Sequence, residues 1–84
     1  MTEQKKEQFK KLNEKHPDRL KLFRLGDFYE SYQEDAEETA RITGVKLSTD
    51  REGDKTAAFP HQALDAYLPR LIRAGHRVAI CDEL

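Results

Sequence analysis

Two short segments of the chain carry apolar side chains on both faces of an extended backbone. In "LKLFRL", residues 20–25, Leu20 and Leu22 alternate with Phe23 and Leu25. In "RVAIC", residues 77–81, four consecutive residues are apolar. Strands that are buried on both faces have this pattern. We therefore expect strands at about residues 20–25 and 77–82 to be interior to one sheet.

Three segments have the periodicity of amphipathic helices. Residues 2–15 are polar and helix-favouring, with apolar anchors three apart, and residues 61–75 have the strongest helical pattern of the chain. Pro69 lies within the latter, so a kink or a break is expected there. A helix is also predicted from about residue 27 to 43, ending before Gly44. The apolar positions behind these predictions are Phe9 and Leu12; Tyr29, Tyr32, Ala36, Ala40 and Thr43; and Leu64, Tyr67, Leu68, Leu71 and Ile72.

The remaining segments predict a short hairpin. "VKLST", residues 45–49, alternates in polarity, and "KTAAF", residues 55–59, follows it after the polar turn "DREGD". The predicted order is α-β-α-β-β-α-β. The fold class is α/β (α+β), a small mixed β-sheet of about four strands with helices packed on it. Residues 1–84 are expected to form a single domain, in which residues 1–15 are a peripheral N-terminal helix.

Composition limits the class of protein further. The chain has 84 residues, of which 37% are charged, and its net charge is −1, so no overall basic field indicates a nucleic-acid partner. A membrane span is not predicted, because no apolar stretch approaches about 20 residues. The single cysteine, Cys81, and the absence of an apolar signal segment favour a cytoplasmic protein.

The sequence gives no support to catalysis or to a bound cofactor. His16, His61 and His76 lie in three different segments without metal-ligand spacing, so no metal site is expected. The four glycines match neither a dinucleotide fingerprint nor a phosphate-binding loop, so no nucleotide is expected. We expect a protein that is not an enzyme and has no cofactor.

The segment "GDFYE", residues 26–30, has two interpretations. Asp27 and Glu30 have the spacing of a capping box at a helix start, and Tyr29 belongs to the predicted buried stripe. These roles explain three residues without any ligand. Phe28 lies off that stripe, at the point where a strand passes into the next element. It is either tucked against a neighbouring loop or exposed as a contact residue.

Two longer stretches carry a family resemblance. "HPDRLKLFRLGDFYESYQEDA" and "AAFPHQALDAYLPRLIRAGHRVAICDEL", which fall between residues 16 and 84, resemble the N-terminal mismatch-recognition domain of the MutS family of DNA mismatch repair proteins. The resemblance implies that Phe28 stacks on a mispaired base from the minor groove and that Glu30 hydrogen-bonds to the base edge. It also implies a duplex DNA partner with a mismatch or a bulge.

Basic residues outside this motif are weaker candidates, as phosphate contacts. They are Lys46, Arg51, Lys55, Arg70, Arg73 and Arg77. The family's usual Gly-Ile-Pro-Tyr-His-Ala reads Ala-Phe-Pro-His-Gln-Ala at residues 58–63. Residues 34–38 are strongly acidic, which would repel a phosphate backbone.

Two hypotheses of different classes follow. The first is a DNA-binding module that reads mispaired or distorted duplex through Phe28 and Glu30, weakly when alone. The second is a protein-interaction or accessory domain that keeps the fold without binding DNA on its own. In either case a full-length MutS-type protein or another repair protein is an expected partner.

Overall fold

A computed structural model describes residues 2–81 of the chain. Three helices, five strands and one short 3-10 turn follow one another within this range. In chain order they are α1 (Glu3–Lys15), β1 (Arg19–Leu25), β2 (Phe28–Tyr32), α2 (Gln33–Thr43), β3 (Leu47–Thr49), β4 (Lys55–Pro60), the 3-10 turn (His61–Ala63), α3 (Leu64–Arg73) and β5 (Arg77–Cys81). The predicted strand residue 82 lies outside the described residues.

The strands form one mixed sheet in the order β3-β4-β2-β1-β5. Neighbouring strands are antiparallel except β1 and β5, which run parallel. This parallel pair needs a crossover, which the elements from β2 to α3 supply. The predicted α/β class with a mixed sheet and packed helices is confirmed, with five strands in place of about four.

The additional strand is β2, and here the predicted helix start at residue 27 is wrong. Leu25 pairs directly with Phe28, so Gly26 and Asp27 form a two-residue hairpin turn. Gly26 has φ +59, which glycine adopts without steric cost, and Gly-X at this place is typical of a type II′ hairpin turn. The helix begins only at Gln33, after the strand has ended.

Helices cover both faces of the sheet. On one face, here called the α1 face, Phe9 of α1 packs against Phe23 and Tyr32 at ring-centroid distances of 6.2 and 5.8 Å. On the other, the core face, α2 and α3 cover the main hydrophobic cluster. Its buried members are Leu20, Leu22, Tyr29, Phe59 and Leu71. The predicted division of "LKLFRL" into two apolar faces is therefore confirmed.

The position of β5 differs from the prediction. The strand pairs with β1 alone among the described strands and lies at the edge of the sheet, whereas β1 is interior as expected. Val78 packs on the core cluster, while Ala79 and Cys81 line a groove beside α1. Apolar residues on both faces of β5 therefore reflect helices on both sides of the sheet, and they carry no information on how many strands flank it.

The third helix passes through its proline. α3 is continuous from Leu64 to Arg73 with Pro69 inside it, so the expected break is absent. The loss of one backbone hydrogen bond is tolerated because Leu71 of the same helix is completely buried in the core. Gly44 ends α2 with φ +85, as predicted for a residue that follows a helix.

A buried ion pair fixes the start of α2 to the sheet. Lys21 of β1 is 2% exposed, and its Nζ lies 3.0 Å from Oδ2 of Asp35 in the first turn of α2. The same carboxylate oxygen accepts a hydrogen bond from the Lys21 backbone N–H at 3.2 Å. Asp35 therefore orients both the lysine side chain and the strand that carries it.

Candidate nucleic-acid interface

The strand β2 places the two motif residues, Phe28 and Glu30, on one face of the sheet together with Tyr32. Successive side chains of a strand point to opposite faces, so Phe28, Glu30 and Tyr32 share the α1 face, whereas Tyr29 points into the core. Exposure falls along this row, from 48% at Phe28 to 2% at Tyr32. The row therefore runs from the exposed tip of the hairpin to the region covered by α1.

The tip of this hairpin is held by backbone contacts on both sides. Phe28 pairs with Leu25 of β1 and with Pro60 of β4. The His61 backbone N–H donates to the carbonyl of Asp27 at 2.8 Å. The Arg24 Nε donates to the carbonyl of Gly26 at 2.6 Å. Phe28 is thus an exposed side chain on a constrained backbone.

The Glu30 carboxylate has no capping role, which corrects the capping-box interpretation of Asp27 and Glu30. The Tyr32 hydroxyl donates a hydrogen bond to Glu30 Oε1 at 2.9 Å. Lys5 Nζ lies 3.9 Å from the same oxygen, with both side chains partly exposed. Burial raises the pKa of Tyr32, and the hydrogen bond to Glu30 raises it further.

The helix α1 explains the gradient of exposure along β2. It crosses the sheet from the β3–β4 turn, where Lys6 Nζ lies 2.8 Å from Glu52 Oε2, to β5, where Leu12 lines the groove with Ala79. Along this path it covers Tyr32 and touches Glu30. Phe28 lies two residues, or about 6.6 Å, further along the strand, beyond these contacts. Its ring remains open to a flat partner.

The predicted phosphate contacts are dispersed rather than gathered at this tip. Lys55 is the first residue of β4, and the last, Pro60, pairs with Phe28, so the two ends are roughly 16 Å apart along the strand. Arg51 lies in the turn before β4. Arg77 pairs with Arg19 at the end of β1 that is remote from the hairpin tip.

The other three candidates lie elsewhere again. Arg70 and Arg73 belong to α3, which packs on the core face of the sheet. Lys46 precedes the edge strand β3. Of the three candidates described before these, Lys55 also forms an ion pair with Glu37, at 2.6 Å. The fold therefore brings Phe28 and Glu30 together but does not bring the six basic residues to them.

Two cations outside the six predicted phosphate contacts lie nearer to the motif. Lys5 reaches Glu30 from α1, and Arg24 lies at the hairpin tip with its guanidinium 5.6 Å from the centre of the Tyr29 ring. The sequence could have indicated that Arg24 is near the motif, since it comes two residues before the Gly-Asp turn. It could not have indicated this for Lys5, because Lys5 and Glu30 are 25 positions apart in the sequence.

Over residues 2–81, no cluster of three or more histidine, cysteine, aspartate or glutamate side chains is placed to hold a metal ion. Within that range, no helix is long and apolar enough to cross a membrane.

The described chain is thus a small mixed-sheet domain that presents an exposed aromatic side chain and a carboxylate from one hairpin strand. The sequence matches the family described as MutS domain I over residues 4–84. The chain belongs to the MutS domain I family.

The relatives are proteins named DNA mismatch repair protein MutS. The protein of Bacteroides fragilis (strain YCH46) is 56% identical over 81 residues, which cover 92% of this chain and 9% of the relative. Those of Porphyromonas gingivalis and Salinibacter ruber are 51% and 48% identical over the same shares. The chain thus spans about a tenth of the length of these curated relatives.

Proposed function

We propose that this domain binds duplex DNA at a mispair or a bulge from the minor groove, with Phe28 as the stacking side chain and Glu30 as the hydrogen-bonding acid. The observation that carries the proposal is the placement of both residues on one face of β2, two positions apart. On a continuous helix, residues two apart point in nearly opposite directions. On a strand, residues two apart point to the same face, so both side chains can contact one base.

The chemistry of an exposed aromatic at a rigid tip suits this role. Apolar side chains that enter the minor groove separate neighbouring base steps and kink the duplex. A mispaired base is unstacked at lower cost than a paired one, so the insertion itself selects mispairs. Phe28 has the required exposure, and the backbone pairing on both sides fixes the position of the strand that carries the ring.

The charge distribution supports this face as the interface. The acidic residues 34–38 lie in the first turns of α2, which follows the end of β2 that is remote from Phe28. Several of them are already paired, with Lys21, Lys55 and Arg41. On the α1 face, Lys5 stands beside Glu30, so a phosphate near the motif meets a cation.

The proposed activity is binding without catalysis. Few cations lie at the tip, so we expect an affinity in the weak half of the range for non-specific DNA binding, about 10⁻⁴–10⁻⁵ M at physiological salt, with a shallow salt dependence. Because the Phe28 ring is only half exposed, we expect its stacking free energy on a base to be at the low end of the usual range. This corresponds to a preference for the mismatched over the matched duplex of about threefold to tenfold. A full-length MutS-type protein or another repair protein is the proposed context.

The test is a titration of ¹⁵N-labelled protein with matched and mismatched duplexes, combined with fluorescence anisotropy at several salt concentrations. Amide shifts should centre on residues 26–30. Phe28→Ala should remove the preference and leave the fold intact, because a half-exposed ring contributes only about 1 kcal/mol to stability. Ile72→Ala is the matched control, since Ile72 has a similar exposure, 55% against 48% for Phe28, but lies on α3.

Two results would contradict the proposal. One is that saturating mismatched duplex at low salt moves no resonance between residues 26 and 30. The other is that Phe28→Ala and Ile72→Ala reduce the preference equally. Either would favour the alternative function, a protein-interaction domain that does not bind DNA on its own.

A further inference from the structure

We infer that Tyr32 is a positioning residue for Glu30, holding one carboxylate oxygen so that the other is the one offered to a base. This inference rests on the proposed function. Within residues 2–81, both polar contacts of the Glu30 carboxylate fall on Oε1: the Tyr32 hydroxyl at 2.9 Å and Lys5 Nζ at 3.9 Å. Oε2 is therefore the acceptor that remains for a ligand.

The Tyr32 ring is well suited to fix an oxygen in space. The residue is 2% exposed, and its ring packs against those of Phe9 and Phe23, at centroid distances of 5.8 and 5.3 Å. The contact with Phe9 is edge-on, at 88° between the planes. Burial and contact with both rings restrict the orientation of the Tyr32 ring, so the hydroxyl has a defined position relative to β2.

The hydroxyl can act only as a donor in this contact. An ionised carboxylate accepts hydrogen bonds and donates none. Burial and the neighbouring Glu30 both raise the pKa of Tyr32, so the phenol keeps its proton throughout the neutral range. The hydrogen bond therefore has one direction, with the Tyr32 hydroxyl as the donor and the charged Glu30 carboxylate as the acceptor.

Fixing the carboxylate before binding reduces the entropic cost of association more for a glutamate, such as Glu30, than for the shorter aspartate. A glutamate side chain has three rotatable bonds, and ordering it on binding opposes association. The hydrogen bond from Tyr32 orders the side chain in the free protein, before DNA is present. With phenylalanine at position 32, the ring packing would remain, while Oε1 would lose its donor and the carboxylate would rotate.

The experiment compares Tyr32→Phe with Tyr67→Phe, which removes the same atom from a ring on the core face. Tyr67 packs edge-on against Phe59 at 5.1 Å, away from the motif. In the free protein, three-bond couplings of the Glu30 side chain should report one rotamer in the wild type and in Tyr67→Phe. In Tyr32→Phe the couplings should become averaged.

Binding gives the second readout. Tyr32→Phe should at least halve the preference for mismatched over matched duplex, because the acceptor is no longer held in place, and it should leave the salt dependence unchanged. Tyr67→Phe should leave both unchanged. A role confined to stability would lower the melting temperature without altering the couplings or the preference.

Several results would overturn the inference or its basis, and they are distinguishable. Unaveraged Glu30 couplings in Tyr32→Phe, or a preference equal to that of the wild type, would overturn the positioning role alone. A wild type with fixed Glu30 couplings but no mismatch preference would instead overturn the proposed function, and the base-directed role of Tyr32 would fall with it.

Discussion

The ion pair between Lys21 and Asp35 should be a major contribution to the stability of the domain. Asp35→Ala leaves an ammonium that is 2% exposed without its carboxylate, with the Arg19 carbonyl as its remaining acceptor. Breaking a buried pair in this way costs about 3–5 kcal/mol, and the lower value applies because Asp35 itself is 18% exposed. We expect a loss of about 3 kcal/mol.

This loss is large relative to the total free energy of unfolding. An 84-residue domain has a free energy of unfolding of roughly 4–13 kcal/mol. At about 4–8 °C per kcal/mol, Asp35→Ala should lower the melting temperature by about 12–24 °C. Urea unfolding at pH 7, followed by far-UV circular dichroism, measures the free energy directly, and a thermal melt gives the temperature.

The chain offers a matched control and a rescue. Asp18→Ala removes the same carboxylate from an exposed pair, Arg77 Nη1 to Asp18 Oδ2 at 3.6 Å, and should cost less than about 0.5 kcal/mol. Adding Lys21→Met to Asp35→Ala should restore much of the stability, because no buried charge is then left unpaired. Equal losses for Asp35→Ala and Asp18→Ala would refute the reasoning, as would a double variant no better than Asp35→Ala.

Two further outcomes are expected. Gly26→Ala should destabilise the domain by about 1–2 kcal/mol, because φ +59 is unfavourable for a residue with a Cβ, and an unchanged urea midpoint would contradict the assigned hairpin turn. Hydrogen bonds from Arg41 and His76 lower the pKa of Glu38 from about 4.5 to about 2, so its contribution to stability is present above pH 4.5 and is lost as the pH falls toward 2. Urea midpoints between pH 5 and pH 2 should therefore fall more steeply for the wild type than for Glu38→Gln, and parallel curves would contradict this.

The sequence predicted the fold class, but the predicted second helix combined β2 and α2 in one element. Tyr29, Tyr32 and Ala36 recur at three- and four-residue steps, which suggested one helical stripe through them. In the structure Tyr29 faces the core and Tyr32 faces α1, so the spacing arose from a strand and a helix joined end to end. The Gly-Asp pair between two apolar runs was the available signal for the hairpin.

The candidate site was predictable in part. The apolar pattern alone left Phe28 either tucked against a loop or exposed, and the family resemblance favoured the exposure that the structure has. The contacts of Glu30 did not follow, because Lys5 comes from a distant helix and Tyr32 was assigned to a buried stripe. The distribution of the basic residues depended on strand order, which periodicity does not determine.

The most direct test of the central claim is a search for intermolecular NOEs between the ring protons of Phe28 and a duplex that carries one mispair. The account predicts contacts from the ring to minor-groove and base protons at the mispaired step, and their loss in the matched duplex. Contacts that join the DNA only to residues of α3 or to the β3–β4 turn, with none from the Phe28 ring, would contradict it.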